Sequence, residues 1–195
     1  SLFESYIDQS AQRGRSVVVC AAGNEGSGAH HFRGQLVEGG NVDAEFTIST
    51  RRERVYLSLW KNFADEAVFD LTLPNGQSTG PLTEGSRSLR FGPVSVSVFY
   101  GVPTHYSAVQ EAIFLLDAPA GQLDGLWRLR CQGRQVADGR FDIWLPTVEE
   151  VGERTAFLQP TPDLTITLPA TALYPISVGG FHPGTGTLSA FSGRG

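Results

Sequence analysis

No methionine occurs among the 195 residues, so the chain carries no initiator and reads as a piece processed or excised from something longer. Cysteine is almost as scarce. Cys20 and Cys131 lie far apart and form no metal-like cluster; a buried free thiol is the ordinary state for such a residue, and no compartment follows from it. Basic residues are outnumbered, with a formal net charge of -5. Phosphate binding needs clustered Lys and Arg, so nucleic acid is not expected as a partner. Apolar runs stay well short of the ~20 residues that span a bilayer, so no membrane partner is expected either. The first dozen residues are too polar for a signal peptide. What remains is ordinary: 41% hydrophobic and 18% charged residues. That excludes wholesale disorder and suffices for one large or two small cored domains.

Leu2, Phe3, Tyr6, Ile7 and Ala11 recur at helical spacing. Glu4 and Asp8 lie near the start, Arg13 and Arg15 at the end, and Gly14 is placed to stop the helix. The run Val17-Val18-Val19-Cys20-Ala21-Ala22 follows. It is apolar on successive residues, as in a strand covered on both faces of a parallel sheet. From about Asn41 the period becomes two. Phe46 and Ile48, then Val55, Leu57 and Leu59, then Phe69, Leu71 and Leu73 alternate with polar residues. Further strands are predicted at Leu89 and Phe91, from Val94 to Tyr100, at Ile113 and Leu115, from Trp127 to Cys131, and from Phe141 to Leu145. About eight short strands with Gly- or Pro-bearing connections indicate a sandwich or jelly roll. Asp138-Gly139 reads as one of its hairpin turns. After Pro146 the texture changes back, and Pro175-Ile176-Ser177-Val178-Gly179-Gly180-Phe181 again reads as a buried strand.

Chemistry concentrates in Ala21-Ala22-Gly23-Asn24-Glu25-Gly26, directly after the first buried strand. A short amide at the carboxyl end of such a strand sits where α/β sheets place ligands. Flanking glycines allow tight turning and close approach of a backbone. The Asn24 carboxamide could donate to an oxyanion without any charge of its own. It could equally be turn chemistry, since Asn and Gly both favour turns.

Residues 17–26, followed much later by residues 174–181 and by Phe191-Ser192-Gly193-Arg194-Gly195, resemble the subtilases, the subtilisin-like serine proteases. The resemblance covers residues 1–34 and 157–195. It implies that Asn24 is the oxyanion-hole donor. It also implies that Ala21, Ala22 and Gly23 form one wall of the pocket for the substrate residue before the scissile bond, with Pro169 and Ala170 approaching from the other side. The family's Asp and His elements would lie upstream and its Ser element downstream, so the chain alone is expected to be inactive. His30 and His31, and likewise His105 and His182, lack the family's context and are expected to be solvated loop residues.

Gly125-Leu126-Trp127-Arg128-Leu129 and Phe141-Asp142-Ile143-Trp144-Leu145-Pro146 resemble the jelly roll embedded in some subtilases, the clostridial Csp proteases among them. Trp127 and Trp144 are expected in the core, the alternative being a sugar-stacking platform. The expected fold is therefore mixed. An all-β jelly-roll or β-sandwich insertion, residues 35–156, is flanked by two pieces of an α/β parallel-sheet subtilase core, residues 1–34 and 157–195. The two flanking strands are expected side by side and parallel. The resemblance implies a serine endopeptidase acting on a peptide or protein substrate, the alternative being a pseudoprotease that binds peptides through the same groove. No cofactor is expected, and Asp43, Glu45 and Asp70 are spread too singly for a calcium site. The excised piece, short of the rest of its sheet, is expected to self-associate.

Overall fold

The computed structural model describes residues 2–12, 16–102 and 108–195. Its chain divides into two compact units, one of Ser1–Ala29 with Thr161–Gly195, the other of His30–Pro160.

In the first unit, α1 (Leu2–Gln12) follows the predicted spacing, but it buries nothing. Leu2 is 91% exposed. Its polar side chains tie it down instead: Glu4 Oε1 accepts from Thr171 Oγ1 at 2.6 Å, and Asp8 Oδ1 accepts the Tyr174 amide at 2.9 Å. The expected glycine stop and closing arginines lie outside the described residues. Strand β1 (Val19–Ala21) pairs in parallel with a distant segment, Ile176–Val178, with Val19 opposite Ile176. The two flanking strands thus meet as their apolar texture predicts. The α/β core does not form around them. Among the described residues this is the one parallel pair, each strand has three residues, and every other pairing is antiparallel. Val19 is 59% exposed and Ile176 56%. A run of apolar residues specifies a strand, but burying both its faces needs further strands and covering helices. None of the described residues provides them, so the chain is nearly all β.

The second unit is a sandwich. Its strands are β2 (His31–Gln35), β3 (Asn41–Ile48), β4 (Arg54–Asn62), β5 (Glu66–Thr72), β6 (Gly85–Phe91), β7 (Val94–Tyr100), β8 (Val109–Asp117), β9 (Gly125–Gln135), β10 (Arg140–Trp144) and β11 (Ala156–Phe157), with a short helix α2 (Val148–Val151) before β11. They form a six-stranded sheet, β2-β10-β4-β8-β7-β6, and a four-stranded one, β11-β3-β9-β5. Alternation drives the packing. Val55, Leu57 and Leu59 of β4 face Phe46 and Ile48 of β3 and Phe69 and Leu71 of β5 within one core. Phe69 meets Phe114 of the opposite sheet edge-on, with ring centroids 6.0 Å apart. Beyond the sandwich, β12 (Ile176–Val178) is the parallel partner of β1, and β13 (Phe181–His182) and β14 (Thr187–Leu188) make a small exposed hairpin of the first unit.

Inside the sandwich the expectation for Trp127 holds, and those for Trp144, His30 and His31 change. Trp127 is fully buried, stacked on Phe46 with its Nε1 donating to the Leu123 carbonyl at 2.8 Å. It cannot stack on a sugar. Trp144 is half-buried and lies flat on the His31 ring, with centroids 4.8 Å apart. His30 and His31, expected in solvent, are both buried. The stretch from His31 to Gln35 has no apolar alternation and looks like a loop, but it gains its place by pairing with β10. His182 lies in β13 and is exposed; His105 falls outside the described residues. Cys131 is buried and unbridged, its thiol pushed up by burial.

His31 Nε2 and Arg33 Nε both lie 2.8 Å from Asp142 Oδ1. Burial alone would raise the Asp142 carboxyl. The hydrogen bonds from His31 and Arg33 and the adjacent positive charge outweigh it, and the group stays below the usual carboxylate range. A lowered folded value makes the ionised pair a stabiliser above about pH 4, lost as pH falls through that lower value. Asp142→Asn should therefore cost about 2–3 kcal/mol at pH 7, since it takes the carboxylate from buried His31 and part-buried Arg33. It should also flatten the acid limb. Urea melts between pH 3 and 7 measure both, and an unchanged acid slope would rule out this pair as its source.

Candidate functional site

Strand β1 ends at Ala21, and the loop that follows is fixed almost wholly by backbone contacts. The Ala22 amide donates to the Val178 carbonyl at 2.9 Å, and the Ala22 carbonyl accepts from the Thr167 amide at 3.1 Å. Gly23 has φ +91°, and a Cβ there would lie 2.1 Å from Thr167 Oγ1, so this position takes only glycine. Its carbonyl accepts from the Gly193 amide at 3.0 Å. Gly26 donates to the Phe191 carbonyl at 2.9 Å, and a Cβ on it would stand 2.0 Å from the Ser192 carbonyl oxygen. The Phe-Ser-Gly-Arg-Gly turn is therefore wedged backbone to backbone against the Gly23–Gly26 bend. Buried Ser192 secures it, its Oγ accepting the Gly180 amide at 2.9 Å. Thr165 secures the other side through the Arg194 backbone, at 2.8 and 3.1 Å.

Asn24 sits at the front of this assembly, before a single 3-10 turn, Glu25–Ser27. Asn at such a position normally caps the turn with its side chain. Here it makes no capping bond, and the residue is exposed. Ala21 is exposed, Gly23 half-buried and Ala22 buried. The chain returns beside them through Thr167, whose carbonyl accepts the Ala170 amide at 3.0 Å. Pro169 is half-buried. Ala170 is buried, its carbonyl accepting from Ser177 Oγ at 2.7 Å. All six residues singled out in the sequence thus belong to one unit and to two adjoining segments. Thr165 and Thr167, which carry no motif, hold those segments together. Chemically, the assembly is a stiff backbone scaffold presenting one neutral carboxamide.

No protein-family model matches the chain, and no curated protein matches it. Among solved structures it is similar to the Clostridium perfringens CspB protease, at 34% identity and a TM-score of 0.88 over the whole of this chain. The chain is related to a protease. It spans 41% of that protease's chain. The likeness includes both units, so the loop and its turn fall within the matched region along with the sandwich.

Proposed function

We propose that the chain is a segment of a subtilisin-like serine endopeptidase, to which it supplies the oxyanion-hole donor and part of the substrate pocket. A serine outside these residues attacks the peptide carbonyl, and a histidine outside them moves the proton. The Asn24 carboxamide donates to the oxygen that becomes negative in the tetrahedral intermediate. Ala21, Ala22 and Gly23 line one side of the pocket for the residue before the scissile bond, and Pro169 and Ala170 the other. Their small side chains leave room for a substrate backbone to approach.

The observation that carries this reading is the uncommitted Asn24 side chain on an otherwise over-determined loop. Preorganised donors cost no reorganisation when charge develops, and that is where oxyanion holes derive their effect. An Asn kept only for turn chemistry would spend its side chain on the turn. Being neutral, the donor works over the whole range in which the catalytic histidine can act as a base.

A fluorophosphonate probe tests the assignment. In the protease containing this segment the label should map to one serine outside residues 1–195, with loss of peptidase activity. The isolated chain should take no label, because an oxyanion donor without a nucleophile forms no acyl bond. Label on a serine within the segment would refute the division of labour.

A further inference from the structure

The sandwich unit holds a second feature, independent of the loop at Asn24. Three connections far apart in sequence meet at one end of the four-stranded sheet. Pairing of Ile48 with Gly125 brings the β3–β4 connection beside the start of β9, and the Thr50 amide donates to Asp124 Oδ1 at 3.0 Å. Pairing of Thr47 with Ala156 brings in the segment before β11, and Thr47 Oγ1 donates to the Arg154 carbonyl at 3.0 Å. The β8–β9 connection closes the side, with the Ala118 amide on the Glu53 carbonyl at 2.9 Å. Between them is an open cavity of about 560 Å³, lined by Ser49, Thr50, Arg51, Gly121, Asp124 and Arg154. That volume is within the range of small-ligand sites.

Its charge is the informative part. Arg33, Arg54 and Arg130 of the same unit each pair with a carboxylate within 2.8 Å. Among the described residues Arg51 and Arg154 have no ion pair, although both line the cavity with Asp124. One oxygen of that carboxylate is already engaged by the Thr50 amide. Two guanidiniums against one carboxylate leave the cavity positive on a chain whose net charge is -5. Guanidinium forks take carboxylate or phosphate groups bidentately. A single exposed pair is worth little, so occupancy requires a ligand engaging both forks at once.

We infer that this cavity is a binding site for a small ligand carrying at least two anionic groups, held by Arg51 and Arg154. Asp124 opposes it and sets its affinity. The chain itself, in low-salt buffer, is titrated with citrate and with pyrophosphate, and with acetate and orthophosphate as single-group controls. Arginine Nε–H resonances and backbone amides are followed by NMR. Citrate or pyrophosphate should bind saturably, about fivefold or more tighter than its single-group control, and the better of the two identifies the head group. Shifts should centre on Arg51, Arg154 and Gly121. Arg51→Gln and Arg154→Gln should each weaken binding about fivefold, whereas Asp124→Asn, which keeps the acceptor for Thr50, should tighten it about threefold. Arg134→Gln, away from the cavity, should change nothing. Absence of saturable binding, equal affinity for single- and two-group anions, or wild-type binding by both arginine variants would each overturn the site.

Discussion

If the proposed function holds, replacing Asn24 with Ala should lower kcat of the whole protein by about 10²–10³-fold and leave KM nearly unchanged, a magnitude taken from subtilisin itself and not from the present geometry. The split follows from when the bond is made. In the proposed role the carboxamide would meet little charge in the bound substrate and a full oxyanion in the tetrahedral intermediate, so its loss would fall on the chemical step. Stability provides the control. A capping Asn replaced by Ala typically costs about 1 kcal/mol. Asn24 makes no capping bond, and the loop is held by Gly23, Gly26 and their backbone partners. The variant should therefore melt with the wild type. A variant with wild-type kcat and a lowered melting temperature would return Asn24 to turn chemistry. Peptide hydrolysis and urea melts on the same preparation decide between the two.

Most strands of the sandwich were legible because one face is buried and the other is not, as in β4, β5 and β7. Val55, Leu57 and Leu59 fall on the inner face as their alternation predicts. Where both faces are apolar the phase is lost. Ile113 and Leu115 suggest the inward row of β8, yet Gln110, Ala112, Phe114 and Leu116 occupy it. β2 was missed because its contribution to the core is one phenylalanine, with Gly34 packed beneath the Phe141 ring. The two residues of β11 are too few for any period. The α/β core failed for another reason. Hydrophobic texture reports that a segment prefers to be covered, not which chain covers it. Val19 and Ile176 find each other and, among the described residues, no third strand.

The candidate site divides the same way. The stretch from Ala21 to Gly26 stands out locally through its glycines and its short amide. Two of its supports do not, since Thr165 and Thr167 are ordinary residues until a fold brings them within hydrogen-bonding distance of Arg194 and Ala22. The cavity at Arg51 and Arg154 is the extreme case. Neither arginine belongs to a motif, and about a hundred residues of chain separate them. Only the pairing of β3 with both β9 and β11 makes them neighbours.

The largest loss of stability is expected at a polar residue, Asp65. It closes the turn after β4 and is 1% exposed. Its Oδ1 accepts the Ala137 and Asp138 amides at 2.6 and 2.9 Å, and its Oδ2 accepts the Gly139 amide at 2.8 Å. One carboxylate thus satisfies three amides of the β9–β10 connection, which is not the expected hairpin turn but a crossing from the four-stranded to the six-stranded sheet, and in which Gly139 has φ +81°. The Asp65 carbonyl also accepts from buried Lys61, whose Nζ reaches Gln110 Oε1 at 2.5 Å as well. Burial pulls the Lys61 ammonium below the usual lysine range, and the charges of Asp65, Glu84 and Glu66 counter that pull. Asp65→Ala orphans three amides and removes the first of those charges in one step. The expected cost is about 4 kcal/mol, from unsatisfied buried donors and a buried ammonium left with less compensating charge. Against a domain stability of about 5–15 kcal/mol that is a severe loss. Adding Lys61→Met separates the two contributions. Removing the ammonium should recover part of the loss, making the double variant more stable than the sum of the singles. Urea melts of the four proteins give the cycle. An Asp65→Ala chain within 1 kcal/mol of wild type would mean that water replaces the carboxylate at that connection. Strict additivity would mean that Lys61 is held by Gln110 and the backbone alone.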